Sequence, residues 1–416
     1  MKTLKFLAIF CLSALAFTGC GPSGDDSSNS SSLLLVADTS TIYDNGENVA
    51  TFTLYYEGMT LKEGYEIYVG DTLLEGNTFS STTQGTFEAQ AFYGTVSSNT
   101  ISINVIATPP PAPAAPEDTN PEKTNFKRRI LLTQFTGTAC GFCPLMINGL
   151  YTVSQGLLKD DYVLAAAHIG QYAGNDPARL DESKTLDDAM VVLTYPEIVP
   201  DLNKDYKHDK DLPTHQDLVE AAIENSMNRV TVKGGIAVSS AYHAEEGYIV
   251  LNATVKAKET TEFRIGAWLV EDNIEATQSV GSIQYSDGSV KKIEPVEGVN
   301  FNVHNNCIRI ANSKMNSMDF SGLYLGTIEA GKTASREFAF KLKPNGKGAY
   351  TTWNHDNLRV IVFISTKEGS KWLVNNVVKC PKDGSVDFEY EAAAVPETPE
   401  TPETPAEPSP EPQNVK

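Results

Sequence analysis

The sequence predicts a multidomain α/β plus all-β protein: a small N-terminal β-sandwich, a central α/β domain, a C-terminal β-sandwich and a disordered proline-rich tail. Three observations predict it. Two proline-rich stretches, at 108–125 and from about residue 392, punctuate a chain of 416 residues, which is longer than one core usually serves. Apolar and polar residues alternate with a period of two in 33–107 and again after residue 230. Between those regions a strand–helix–strand pattern surrounds Cys140-Gly141-Phe142-Cys143-Pro144.

The chain opens with Met1, Lys2 and Lys5, an apolar run from Phe6 to Phe17, and Thr18-Gly19-Cys20. This reads as a secretory signal over 1–19, not as a fold element. Its end resembles the lipobox of bacterial lipoproteins, although Phe17 stands where that pattern more often has Leu. The resemblance implies cleavage before Cys20, lipidation of Cys20 and a lipid-anchored protein of the outer membrane. A serine-rich tether, 20–32, follows. Its Asp25-Asp26 resembles the surface-export signals of lipoproteins in one Gram-negative phylum, which implies display at the cell surface, the periplasmic face being the alternative. No later run reaches the roughly 18 apolar residues of a membrane span, so membrane contact is expected through the lipid alone. With 33 basic against 53 acidic residues the net charge is −20, which argues against nucleic acid or anionic lipid as a partner.

In 33–107, Phe52, Leu54 and Tyr56 form one alternating run and Ile101, Ile103 and Val105 another. Val69-Gly70-Asp71-Thr72 reads as a hairpin turn with Gly70 supplying a positive φ. About seven short strands suggest a β-sandwich that resembles bacterial immunoglobulin-like modules, with Asp44-Asn45-Gly46 as a loop. Asp71-Thr72-Leu73 matches a short O-glycosylation pattern, making Thr72 a candidate modification site. Residues 108–125 begin Thr108-Pro109-Pro110-Pro111 and are expected to be a semi-rigid spacer spanning roughly 50 Å. The tail 392–416, which repeats Pro-Glu-Thr, carries no apolar material for a core and is expected to be disordered.

The central domain, 126–229, carries the chemistry. Ile130 to Phe135 reads as a buried strand, and Met146, Leu150, Val153 and Leu157 recur at helical spacing after the cysteine pair. Pro144 fits a first helical turn, where its missing N–H breaks no intrahelical bond. The cysteines therefore lie at a helix N-terminus, whose unpaired N–H groups and dipole stabilise a thiolate. Tyr162 to His168 is a second buried strand, which brings the ends of both strands, and with them Cys140 and His168, to one edge of a sheet. His168 could exchange protons with the thiols or merely bond loop backbone. A helix-rich insertion spans about 177–193. Tyr195-Pro196 before a strand is a candidate cis peptide, and Thr214 with Asp217 reads as a capping box opening a helix.

This order of elements resembles the thioredoxin fold. The resemblance implies a nucleophilic Cys140, a resolving Cys143 and a substrate-presenting loop at Pro196, with Pro200 as second choice. Ala139 departs from the tryptophan that often precedes the first cysteine, and Gly141-Phe142 is closer to the Gly-Tyr of periplasmic disulfide isomerases than to the Gly-Pro of reducing enzymes.

Residues 230–391 alternate as a second β-sandwich. Trp268 to Asn273, Val303 to Arg309 and Asn357 to Val360, taken with Phe135 to Thr138, resemble the twenty-eight-kilodalton outer-membrane protein family. That resemblance implies a surface lipoprotein with a thioredoxin-like domain and brings no defined reaction. Cys307 departs from the aliphatic residue or histidine more usual in its segment. Six cysteines, less Cys11 in the signal and Cys20 on lipid, leave two pairs: Cys140 with Cys143, and Cys307 with Cys380 as a candidate staple, the alternative being two buried thiols. His304 and Asn305 are read as satisfying backbone groups rather than a ligand. Zinc on Cys140 and Cys143 lacks two further ligands at suitable spacing, His208 and His215 lying in a charged loop without a second Cys-x-x-Cys, so neither metal nor cofactor is expected. Two functions follow from different classes. One is a thiol–disulfide oxidoreductase acting on envelope proteins, partnered by protein thiols and disulfides. The other is a non-enzymatic surface binding protein with a structural disulfide and a ligand of unknown kind.

Overall fold

A computed structural model describes residues 33–169, 175–209, 211–311, 320–346 and 351–391. The segments expected to be a signal, a lipidated Cys20, a tether and a disordered tail lie outside them. The chain forms two compact units that divide between Thr108 and Pro109, and it is mostly β-sheet with few helices.

In the smaller unit, Leu33–Ala37 pairs antiparallel with Ala50–Tyr56 in one sheet. The other runs in the order Thr41–Tyr43, Ile101–Ile106, Gly85–Tyr93, Tyr65–Val69. Alternation sends Leu35, Phe52, Leu54, Ile67, Ile103 and Val105 into a shared core, each contributing about 1.5–3 kcal/mol of apolar burial. Val69 pairs with Thr72 across a two-residue turn in which Gly70 has φ +56°, and Thr72 is exposed.

Elements of the larger unit are numbered from its own start. Strand β1 (Ile130–Thr136), helix α1 (Cys143–Gln155) and parallel strand β2 (Tyr162–His168) come first. Helix α2 (Ser183–Met190), strand β3 (Glu197–Pro200) and helix α3 (His215–Arg229) follow. Nine further strands are used below: β4 (Gly234–His243), β5 (Tyr248–Ala257), β6 (Thr261–Glu271), β7 (Cys307–Ala311), β8 (Leu323–Ile328), β9 (Thr333–Lys341), β10 (Leu358–Glu368), β11 (Lys371–Pro381) and β12 (Gly384–Val386).

An eight-stranded sheet runs β3-β1-β2-β7-β6-β10-β11, with β8 on β6, and faces a four-stranded sheet β9-β5-β4-β12. A core of Ile236, Val238, Leu251, Phe263, Leu269 and Val362 lies between the sheets. Beyond it, Ile130 and Leu132 of β1 pack on Met146 and Leu150 of α1 and on Val219 and Ile223 of α3. The alternate residues Leu131 and Phe135 face the other way, towards Leu186 of α2 and Trp268 of β6. Helix α3 opens on the expected reciprocal Thr214–Asp217 capping box.

Three expectations are corrected. First, a domain border at 229–230 is absent: β2 adjoins β7 in parallel, Ala166 opposite Cys307, so the segments expected to form two domains share one sheet. Second, the stretch 108–125 is no free spacer. Asp118 meets the buried Nζ of Lys256 at 2.7 Å, the same Nζ donates to Pro121 O at 2.6 Å, and the Tyr390 hydroxyl donates to Asp118 at 3.0 Å. A buried ammonium requires such partners, and this proline-rich segment supplies them. Third, Leu157 is not on the buried face of α1 but fully exposed, because the helix ends at Gln155 and an extended Gly156 leads into a separate 3-10 turn, Leu157–Asp160.

Candidate functional site

Cys140 and Cys143 are joined in a disulfide, with their Cα atoms 5.5 Å apart. Cys143 is the first residue of α1 and Pro144 lies in the first turn, as the sequence leads one to expect. The motif follows directly on β1, whose last residue, Thr136, is opposite His168. Glu197 of β3 lies opposite Phe135, so Pro196, which follows a cis Tyr195–Pro196 peptide, sits at the same edge. Pro200 pairs with Leu132 farther down the strand, away from that edge.

The disulfide is covered. Cys140 is 7% and Cys143 0% exposed, while Phe142 between them is half exposed. What covers them is a strap, residues 278–298, running from the end of β6 towards β7. Ser279 N donates to Thr138 O and Gly281 N to Gly141 O, both at 2.7 Å. Any side chain at Gly281 would put a Cβ 2.9 Å from the Gly141 carbonyl oxygen, so this approach needs glycine. The buried Gln278 side chain donates from Nε2 to Cys140 O at 2.9 Å, Ser279 O at 3.2 Å and Gly137 O at 3.3 Å. Farther on, Asn148 of α1 donates to Glu294 O at 2.9 Å and accepts from Val296 N at 3.1 Å.

His168 is at the expected edge but does not serve the disulfide. Its Nδ1 is 2.6 Å from Asp176 Oδ2 and its Nε2 is 3.5 Å from Cys307 Sγ. Asp176 also accepts from Thr138 N at 3.0 Å and Ala178 N at 2.8 Å. Burial opposes charge on His168, yet its electrostatic and hydrogen-bond contacts with Cys307 and Asp176 outweigh that and raise the imidazole to about 10. Burial likewise opposes charge on Asp176, and His168 with the backbone donors overcomes it, lowering the carboxyl to about 2. His304 stands edge-on to His168, ring centroids 5.1 Å apart, and is lowered to about 4 by burial and by the charge on His168.

Cys307 and Cys380 are not paired. Both are buried free thiols, on β7 and β11 with β6 and β10 between them. Three strand spacings, roughly 14 Å, exceed the reach of a disulfide. Cys380 lies in the intersheet core near the Ser240 hydroxyl, and burial raises its thiol.

The three distinctive β segments converge. Glu271 accepts from Arg309 Nε at 2.7 Å and from Asn354 N at 2.9 Å, Asp272 accepts from Asn306 N at 2.8 Å, and Asn305 accepts from Asn273 N at 2.9 Å. His304 contacts Ala276 O at 3.3 Å. These side chains therefore satisfy backbone and one another. His304 and Asn305 also line, with His168, Gln134, Tyr151 and Tyr162, a cleft of about 410 Å³. His208 bonds Glu197 and Ile198 O beside β3, and His215 opens α3. The strap carried no local sequence signal, since it acts on residues more than a hundred positions away, and Asp176 stood in a polar loop whose return to His168 the sequence did not mark.

No protein-family model and no curated protein matches the chain. Among solved structures, HBP35 of Porphyromonas gingivalis is 15% identical over 66% of this chain and 82% of that one, with a TM-score of 0.47. Domains 4–9 of the surface layer protein SbsC are 10% identical over 88% of this chain and 51% of that one, with a TM-score of 0.15. Likeness at these scores carries no inference about chemistry, which rests on the geometry of the site.

Proposed function

We propose that the protein is an envelope thiol–disulfide oxidoreductase, with Cys140 as the attacking and Cys143 as the resolving sulfur. The observation that carries this is the disulfide in the first turn of α1, at the carboxyl edge of the β1–α1–β2 unit, where helix N–H groups favour a thiolate leaving group. We read the unit as thioredoxin-like, with Pro196 flanking the sulfurs, and the smaller unit as immunoglobulin-like. The lipobox-like Thr18-Gly19-Cys20 and Asp25-Asp26 support a lipid-anchored protein of the outer membrane, facing outward, and the segments 268–273, 303–309 and 357–360 support membership of the twenty-eight-kilodalton outer-membrane family.

The test is dithiothreitol-driven reduction of insulin. The wild-type chain accelerates precipitation, Cys140→Ser abolishes the acceleration, and reduced Cys143→Ser accumulates a mixed disulfide through Cys140. A rate equal to dithiothreitol alone, with no trapped adduct, sinks the reading. A second reading, a surface binding protein stapled by this disulfide, is favoured by the cover over both sulfurs, and it is the one that such a negative result would support.

A further inference from the structure

We propose that Cys307 is a second reactive thiol, independent of the Cys140–Cys143 pair: a nucleophile served by His168, positioned through Asp176, that attacks a low-molecular-mass disulfide entering the adjoining cleft. Nucleophile, base and orienting carboxylate stand in one chain of contacts, Cys307 Sγ to His168 Nε2 at 3.5 Å and His168 Nδ1 to Asp176 Oδ2 at 2.6 Å. This is the constellation that activates a thiol. All three residues are buried, so the contacts are not diluted by water.

The cleft supplies the second half of the site. His168 and Asn305, whose carbonyl oxygen is 3.7 Å from Cys307 Sγ, both line it. So does Gln134, which is 5% exposed and whose buried Nε2 has no acceptor among the described residues. A buried amide donor left unmatched costs free energy that an acceptor on a bound molecule would recover. A volume of about 410 Å³ admits a small disulfide and excludes a folded protein chain. The charged and titratable groups around the thiol are His168 and Asp176, His304 across the His168 ring, Glu271 opposite Cys307 on β6, Arg309 bonded to Glu271, and Asp272 with Lys379 about Asn306.

The step balances. The Cys307 thiol passes its proton to His168 Nε2 as its sulfur attacks one sulfur of R–S–S–R. That S–S bond breaks, the new Cys307–S–S–R bond forms, and the leaving thiolate takes the Nε2 proton as R–SH. Cys307 is oxidised to a mixed disulfide while half of the small disulfide is reduced to a thiol.

The test treats the full-length protein, its Cys140–Cys143 pair oxidised, with 2-hydroxyethyl disulfide and maps adducts by peptide mass. Cys380 is the internal clock for unfolding, because it is buried in the intersheet core. Cys307 is expected to react at least about tenfold faster than Cys380. Asp176→Asn is expected to slow Cys307 while leaving Cys380 unchanged, and Gln134→Leu to raise the half-saturating disulfide concentration at unchanged limiting rate. Equal, slow modification of Cys307 and Cys380 would make Cys307 a packed core thiol and overturn the proposal. If Asp176→Asn unfolds the protein, which fast Cys380 modification would reveal, the wild-type ratio of the two cysteines decides alone.

Discussion

Removing the Gln278 amide should uncover the Cys140–Cys143 disulfide without unfolding the protein. Its two N–H groups are shared among the carbonyls of Cys140, Ser279 and Gly137, all in the crossing between strap and motif. Each buried bond contributes about 0.5–1.5 kcal/mol net, so Gln278→Ala lowers the cost of lifting the strap by about 1–3 kcal/mol. That multiplies the open population by roughly 5 to 150, taking about 1.4 kcal/mol as tenfold.

If the strap recloses faster than dithiothreitol attacks, the observed reduction rate scales with the open population and rises by the same factor. The assay is pseudo-first-order reduction by dithiothreitol, quenched by alkylation and read by mass at Cys140 and Cys143. Gln278→Glu keeps the size but loses the donors and should behave alike. Gly266→Ala is the control, since it burdens the core behind the sheet rather than the strap: a Cβ there would lie 2.2 Å from the Phe363 ring. An unchanged reduction rate in Gln278→Ala would refute gating by the strap. Equal acceleration in Gln278→Ala and Gly266→Ala would show instead that the disulfide is reached only by global unfolding.

Three further outcomes are expected. Gly266→Ala itself overpacks β6 against Phe363 and should cost about 1–3 kcal/mol, seen as a lower urea midpoint at unchanged slope. Lys256→Met removes the ammonium that holds Asp118 and the carbonyls of Asn120 and Pro121, so the proline-rich stretch should detach and trypsin should cut at Lys123 in the variant and not in the wild type. The Asp176 carboxyl, lowered to about 2, contributes about 2 kcal/mol above its ordinary range near pH 4, and that contribution is lost as pH falls towards 2. His168, raised to about 10, contributes fully below its ordinary value of about 6.5 and loses that contribution as pH rises through about 10. Urea midpoints of wild type and Asp176→Asn should therefore converge at both pH extremes and differ most near neutrality; a constant gap would refute the pairing.

The elements around the cysteine motif were legible because their signals are local. Pro144 and the period of Met146, Leu150 and Val153 specify a helix within a dozen residues, and the Thr214–Asp217 box does the same for α3. Even there, Leu157 misled, since the period continues past Gly156 but the backbone does not. The junction of β2 with β7, the strap and the docking of Asp118 on Lys256 join residues more than a hundred positions apart, and nothing in either partner's neighbourhood marks the other. The parity of the cysteines misled for a related reason. An even count states how many pairs could form, whereas pairing requires neighbouring Cα atoms, and β6 and β10 separate Cys307 from Cys380.

Polar residues within apolar runs were legible as unusual, but their roles depend on which bonding capacity remains once the fold is complete. Glu271, Arg309, Asn305 and Asp272 stand out in sequence and direct their bonds to backbone and to each other, which is a structural role. His168, which the sequence left either as a proton partner of the Cys140–Cys143 thiols or as a bond to loop backbone, contacts Asp176 and a cysteine 139 positions away. Gln134 drew no notice as an amide in a buried strand, yet its Nε2 is a buried donor with capacity left over beside a cleft. Unmatched bonding capacity marks a group able to meet a ligand only where a cleft adjoins it, and Gln134, beside the edge shared by β1, β2 and β7, meets both conditions.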